Sequence, residues 1–139
     1  VLRRENQGSA VETVQGRILN KKEFVKLWIS WTDSTLSVGQ GDEVGQQLWM
    51  KHECVEEKDT MIRIEHVSVC TGWGSAGEWR LFNVRSDRVS EADFDRQFTE
   101  IHNLSTPDEN RYQQWYEVKR KWVVLMVDAK NDAYIRLGE

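Results

Sequence analysis

Residues 23–32, EFVKLWISWT, constrain the fold more than any other stretch of the chain. Side chains alternate between the two faces of an extended chain, so Phe24, Lys26, Trp28 and Ser30 fall on one side and Val25, Leu27, Ile29 and Trp31 on the other. Both sides carry large apolar groups, which predicts a strand covered on both faces. Asp33-Ser34 has tight-turn chemistry, and TLSVG at 35–39 reads as a second strand, so 23–39 is expected to form a hairpin. Alternation recurs at 11–19, 61–70 and 78–84; β character resumes at 114–127, and 133–137 follows an Asn131-Asp132 turn.

One segment differs. Residues 90–102, SEADFDRQFTEIH, predict a helix: Ser90 is a natural N-cap, Asp93 gives a partial capping box, and Phe94, Phe98 and Ile101 share a face. Pro107 sits in a polar break from Ser105 to Asn110. This order of elements lacks the regular βαβ alternation of a doubly wound fold. The expected fold class is all-β or mainly β, an antiparallel β-sandwich with one short helix at about 90–102.

The length, 139 residues, suits one domain with its own core. Seven tryptophans are the compositional outlier, and indoles suit both cores and binding faces. Formal net charge is −4 and the basic residues come in small groups (Arg3-Arg4, Lys21-Lys22, Lys119-Arg120-Lys121), so no sustained positive field for nucleic acid exists. No apolar run is long enough to span a bilayer as a helix. Val1 is not a natural start, which fits a processed or excised chain. Cys54 and Cys70 form no CxxC; they read either as one disulfide or as two small buried hydrophobes. Asn103-Leu104-Ser105 is a glycosylation sequon.

The stretch LWISWTDSTLSVGQG (27–41), followed by VSVCTGWGSAGEWRLFNV (67–84), resembles the domain family named for farnesoic acid O-methyltransferase. Trp28, Ile29, Ser30, Trp31, Val38, Gly39, Gly41, Trp49, Gly72, Trp73, Gly74, Gly77 and Trp79 carry the resemblance. The family's name implies methyl transfer to a sesquiterpenoid acid; its occurrence in larger animal extracellular proteins implies a binding or interaction module. The segment similar to the family's opening, Val127 to Leu137, stands at the end of this chain. The chain therefore reads either as a single domain over 1–139, its segments in a naturally permuted order, or as the later part of one domain (1–88), a helix and linker (89–112), and strands 113–139 that begin a second copy in a tandem array or are exchanged between chains. Exchanged strands would make the protein an oligomer.

Gly39-Gln40-Gly41-Asp42-Glu43-Val44-Gly45 has GxGxxxG spacing, but a nucleotide or methyl-donor loop needs a helix start behind it, and none is predicted there. A β turn is the expected structure. The acids Asp42, Glu43, Glu53, Glu56, Glu57 and Asp59 show no calcium-loop spacing and read as solvated surface. His52, His66 and His102 lie on separate elements without metal-ligand spacing. His66 and Cys70, four apart in a strand, are separated by about 13 Å at the normal rise per residue, too far to pair. No GxSxG is present.

Thr71-Gly72-Trp73-Gly74-Ser75-Ala76-Gly77 stays open between two structures. Trp73 is either an exposed platform for a flat ligand or a plug of the sandwich. The expected function is a non-catalytic module binding a small ligand or glycan through Trp73, Ser75, Glu78 and Arg80, with no catalytic residue, metal or cofactor, no nucleic acid, no membrane span, and self-association by strand exchange as a further partner. An extracellular, secreted location is expected, with cytoplasmic as the alternative. The two rival functions are a farnesoic acid O-methyltransferase-like enzyme and a structural oligomerisation module.

Overall fold

The computed structural model describes residues 2–3, 10–12, 24–53, 63–72, 74–86, 102–109, 111–112, 114–118, 120–129 and 133–138. Among them lie strands β1 (Leu2–Arg3), β2 (Ala10–Glu12), β3 (Val25–Trp31), β4 (Thr35–Gln40), β5 (Leu48–Glu53) and β6 (His66–Thr71). β7 (Gly77–Phe82), β8 (Val84–Ser86), β9 (His102–Thr106), β10 (Tyr116–Val118), β11 (Trp122–Ala129) and β12 (Ala133–Gly138) follow. The described residues contain no helix. The expected helix at 90–102 lies outside them except for His102, which opens β9.

The fold is all-β and antiparallel, as expected. A six-stranded sheet runs β5-β4-β3-β11-β7-β9, a four-stranded sheet runs β12-β6-β10-β8, and β1 pairs with β2. Inward side chains of both larger sheets meet in one core. Leu27, Ile29 and Trp31 (β3), Val38 (β4), Trp79 and Leu81 (β7) and Val123, Leu125, Val127 and Ala129 (β11) come from the first. Val67 and Val69 (β6), Val84 (β8), and Tyr116 and Val118 (β10) come from the second. Each fully buried aliphatic side chain contributes up to about 1.5–3 kcal/mol. The centre is β11: Leu125 stands between Leu27 of β3 and Leu81 of β7 and is fully buried.

The predicted β3–β4 hairpin is present, with Thr32 N–H donating to the Thr35 carbonyl at 2.8 Å across the Asp33-Ser34 turn. β3 is covered on both faces as expected. Trp28 points away from the core, yet it is only 1% exposed. Its indole lies over Gly39, where a Cβ would overlap the ring, and its N–H donates to the Gln46 carbonyl at 2.8 Å. The GxGxxxG segment is thus the end of β4 and the connection to β5, with Gly41 and Gly45 at positive φ of 89° and 94°. That is turn geometry, as its glycine content predicted.

Several segment boundaries differ from expectation: the strand expected at 61–70 begins only at His66, and residues 13–19 of the strand expected at 11–19 lie outside the described residues. The 78–84 strand breaks at Asn83, whose positive φ of 63° turns the chain from the large sheet into the small one. Asparagine tolerates that conformation, and its side-chain amide donates to the Trp122 carbonyl at 2.6 Å. The 114–127 segment is two strands, β10 and β11, in different sheets. The break falls at the basic triplet, where the Lys121 carbonyl accepts from Trp31 N–H at 3.0 Å and its ammonium meets Asp33 at 2.8 Å. The polar break expected from Ser105 starts only at Pro107, because the polar residues of β9 face solvent while Leu104 packs on the core and Thr106 is buried. The apolar run Leu48-Trp49-Met50 opens the edge strand β5. The described part of the segment resembling the family's opening, Val127–Ala129 of β11 and Ala133–Leu137 of β12, pairs with β3, β7 and β6 of the same chain.

Candidate ligand face

Alternation along β7 sorts the glycine- and tryptophan-rich motif into structural and outward residues. Gly77, Trp79 and Leu81 are buried, whereas Glu78 and Arg80 are exposed. The register then assembles their neighbours. Arg80 lies between Asn103 of β9 and Met126 of β11, and Glu78 lies between Ser105 of β9 and Asp128 of β11. Lys26 of β3 stands beside Met126. Directly opposed side chains have Cβ atoms about 5 Å apart, so these residues form one patch on the outer face of the six-stranded sheet.

The patch has defined contacts. The Arg80 guanidinium carbon sits 4.2 Å from the centroid of the Phe24 ring, a cation–π stack that holds the guanidinium plane in place. Ser105 Oγ donates to Glu78 Oε2 at 2.7 Å. Lys26 Nζ lies 3.5 Å from Asp42, a solvent-exposed pair of small energetic weight. Glu78 and Asp128 are like charges on adjacent strands, an arrangement that costs stability by itself. Beside the polar rows, Phe82, Val124, Trp28 and Gly39 make an apolar row across four strands. The exposed part of the face combines a guanidinium stacked on an aromatic ring with a carboxylate that has a hydroxyl partner, whereas Val124, Trp28 and Gly39 of the adjoining row are buried.

The loop that precedes β7 is held by a buried polar cluster. Thr71 and Thr106 hydroxyls lie 2.7 Å apart, and Trp79 Nε1 donates to Thr106 Oγ1 at 2.9 Å. Gly74 N–H donates to Asp108 Oδ1 at 3.0 Å, and Thr71 bridges Asp108 in parallel fashion. Gly77 packs so closely that a Cβ there would stand 2.8 Å from Thr71 Cγ2. Thus Trp79 and Gly77 of the signature, like Trp28 and Gly39, serve packing.

Of the four residues expected to bind ligand, Glu78 and Arg80 share the outer face. Ser75 is 2% exposed, with its hydroxyl donating to the Ala76 carbonyl at 3.3 Å. Trp73 lies outside the described residues. Phe24, Lys26, Asp128, Asn103 and Ser105 join the face only through the strand register, which no local sequence pattern reveals.

The second cysteine-bearing region has a different character. Cys70 is a free thiol, 2% exposed, and burial pushes it up from the ordinary thiol range, disfavouring thiolate. Burial likewise raises Tyr112, which bonds to Cys70. Gln114 lies on this outer side of the small sheet too, with Ser68 Oγ donating to its carbonyl at 2.5 Å. Cys54 lies outside the described residues. No group of three or more His, Cys, Asp or Glu side chains suited to a metal occurs among the described residues. No helix among them is long and apolar enough to cross a membrane.

No curated protein and no solved structure matches this chain. A family model described as farnesoic acid O-methyl transferase matches residues 1–85, which takes in β1 to β7 with the indoles of Trp28 and Trp79 and the glycines beneath them. The chain belongs to the farnesoic acid O-methyl transferase domain family.

Proposed function

We propose that this protein is a non-catalytic binding module of an extracellular protein, and that it takes a carbohydrate on the outer face of its six-stranded sheet. The observation that carries this reading is Arg80 stacked on Phe24 beside the Glu78–Ser105 pair. A sugar offers hydroxyl pairs for a guanidinium and a carboxylate, and an apolar C–H face for an aromatic ring. Trp73 lies outside the described residues; in this reading it supplies a further stacking aromatic, a role that Trp73→Ala tests. Trp28, Trp79, Gly39 and Gly77 of the signature support the reading indirectly, since they are taken up by packing.

The test is a glycan-array screen with wild type, Trp73→Ala, Arg80→Ala and Glu78→Gln. Retained folding with binding lost in the Arg80 and Trp73 variants is expected. Equal binding by all four proteins removes the assigned site. The methyl-transfer alternative that the family name carries is separated by calorimetry with S-adenosylmethionine: micromolar binding would establish the enzyme reading in place of this one.

A second reading, an oligomerisation module, is favoured by one observation. The segment resembling the family's opening takes in the end of β11, in the six-stranded sheet, and most of β12, in the four-stranded one. An identical segment from a second copy could occupy the same place. Light scattering distinguishes the two: dimers or higher species at micromolar concentration support exchange, and a strict monomer removes it.

A further inference from the structure

The chain contains one N-x-Ser/Thr triplet, Asn103-Leu104-Ser105, and it lies on β9. β9 is the last strand of the six-stranded sheet and pairs with β7 alone within that sheet. Along it, Asn103 and Ser105 are exposed while Leu104 is half-buried against the core. The middle residue thus anchors the strand, and the acceptor and hydroxyl residues both point outward. A branched sugar attached at an inward position would prevent the sheets from closing; at Asn103 the attached group projects into solvent from a sheet margin.

We propose that Asn103 is an N-glycosylation acceptor when the chain passes through a secretory lumen. The donor is an oligosaccharide carried on a lipid diphosphate. The Asn103 Nδ2 forms a bond to C1 of the first sugar, the C1–oxygen bond to the diphosphate breaks, and the lipid diphosphate leaves with the electron pair. The amide gives up one proton in exchange. The inference needs neither Trp73 nor Arg80 as a binding residue, but Asn103 stands opposite Arg80 and Ser105 bonds Glu78, so a sugar attached at Asn103 would compete with a bound one for the same face.

The test uses the full chain behind a cleavable secretion signal, expressed in animal cells, so that acceptor competence is measured independently of native location. Secreted and retained lumenal pools are both treated with peptide N-glycosidase in heavy-oxygen water and analysed as peptides. The expected result is labelled Asp at position 103 in most copies, with the mobility shift abolished in Asn103→Gln and Ser105→Ala and kept in Ser105→Thr. Unmodified Asn103 in the folded wild type of both pools would overturn the proposal. So would a mobility shift that survives Asn103→Gln.

Discussion

Replacing Gly39 by alanine should be among the most damaging single-methyl additions to this protein. The new Cβ would overlap the indole of Trp28, which is 1% exposed and bonded to the Gln46 carbonyl at 2.8 Å. If the ring stays, the overpacking costs about 1–3 kcal/mol. If the ring is driven out, the hydrogen bond is lost at about 1 kcal/mol, together with part of the roughly 3–5 kcal/mol that a buried large aromatic contributes. Either route takes a large share of the ~5–15 kcal/mol by which domains are stable. At about 4 °C per kcal/mol for this size, the midpoint should fall by roughly 4–12 °C by the first route, and by at least as much by the second. Thermal and urea unfolding followed by far-UV circular dichroism read this directly. A Trp28→Ala background supplies the control, because there the Gly39→Ala penalty should shrink to a few tenths of a kcal/mol (~0.5). A Gly39→Ala protein within about 0.5 kcal/mol of wild type would refute the packing described for β3, β4 and the following loop.

Three further perturbations follow from the same structure. Thr106→Val keeps the shape but removes the acceptor of the buried Trp79 indole N–H, and should cost about 1–3 kcal/mol in urea unfolding; a neutral result would dissolve the Thr71–Thr106–Trp79 cluster. Leu125→Ala, at the middle of β11, should cost about 2–5 kcal/mol and outweigh truncation of the exposed Leu48 by several-fold. Cys70, Tyr112 and Tyr116 are all raised by burial, so the folded protein keeps their protons at a pH where the unfolded chain releases them. Stability from these groups is therefore complete below their ordinary values near pH 9–10 and is lost as pH climbs above them. Unfolding titrations from pH 7 to 11 should show an alkaline decline that Tyr116→Phe makes shallower; equal slopes in the two proteins would contradict it.

Much of the fold was legible because alternation is a local signal. β3, β4, β6 and β7 lie where two-residue periodicity put them, and the turn at Asp33-Ser34 follows from residue type. What stayed hidden depends on distant partners. The chain crosses between sheets at Asn83, a lone polar residue between Phe82 and Val84, and again between β10 and β11, where a short basic run interrupts 114–127; neither interruption by itself announces a change of layer. β9 was obscured because its outward Asn103 and Ser105 read as loop composition. At the candidate face, Glu78 and Arg80 could be read from alternation within β7. Phe24, Lys26, Asp128 and Ser105 reach them only across strands, and strand register is set by the whole sheet.

The central claim is that a ligand meets this protein on the outer surface of β7 and its neighbours. The most direct measurement is a two-dimensional NMR titration of the labelled chain, with the strongest array-selected glycan in one series and S-adenosylmethionine in another. The account predicts glycan-induced shifts concentrated at Glu78, Arg80, Ser105, Lys26 and Asp128, and none with the methyl donor. Shifts produced by the methyl donor around residues 39–45, with the β7 face silent, would contradict it.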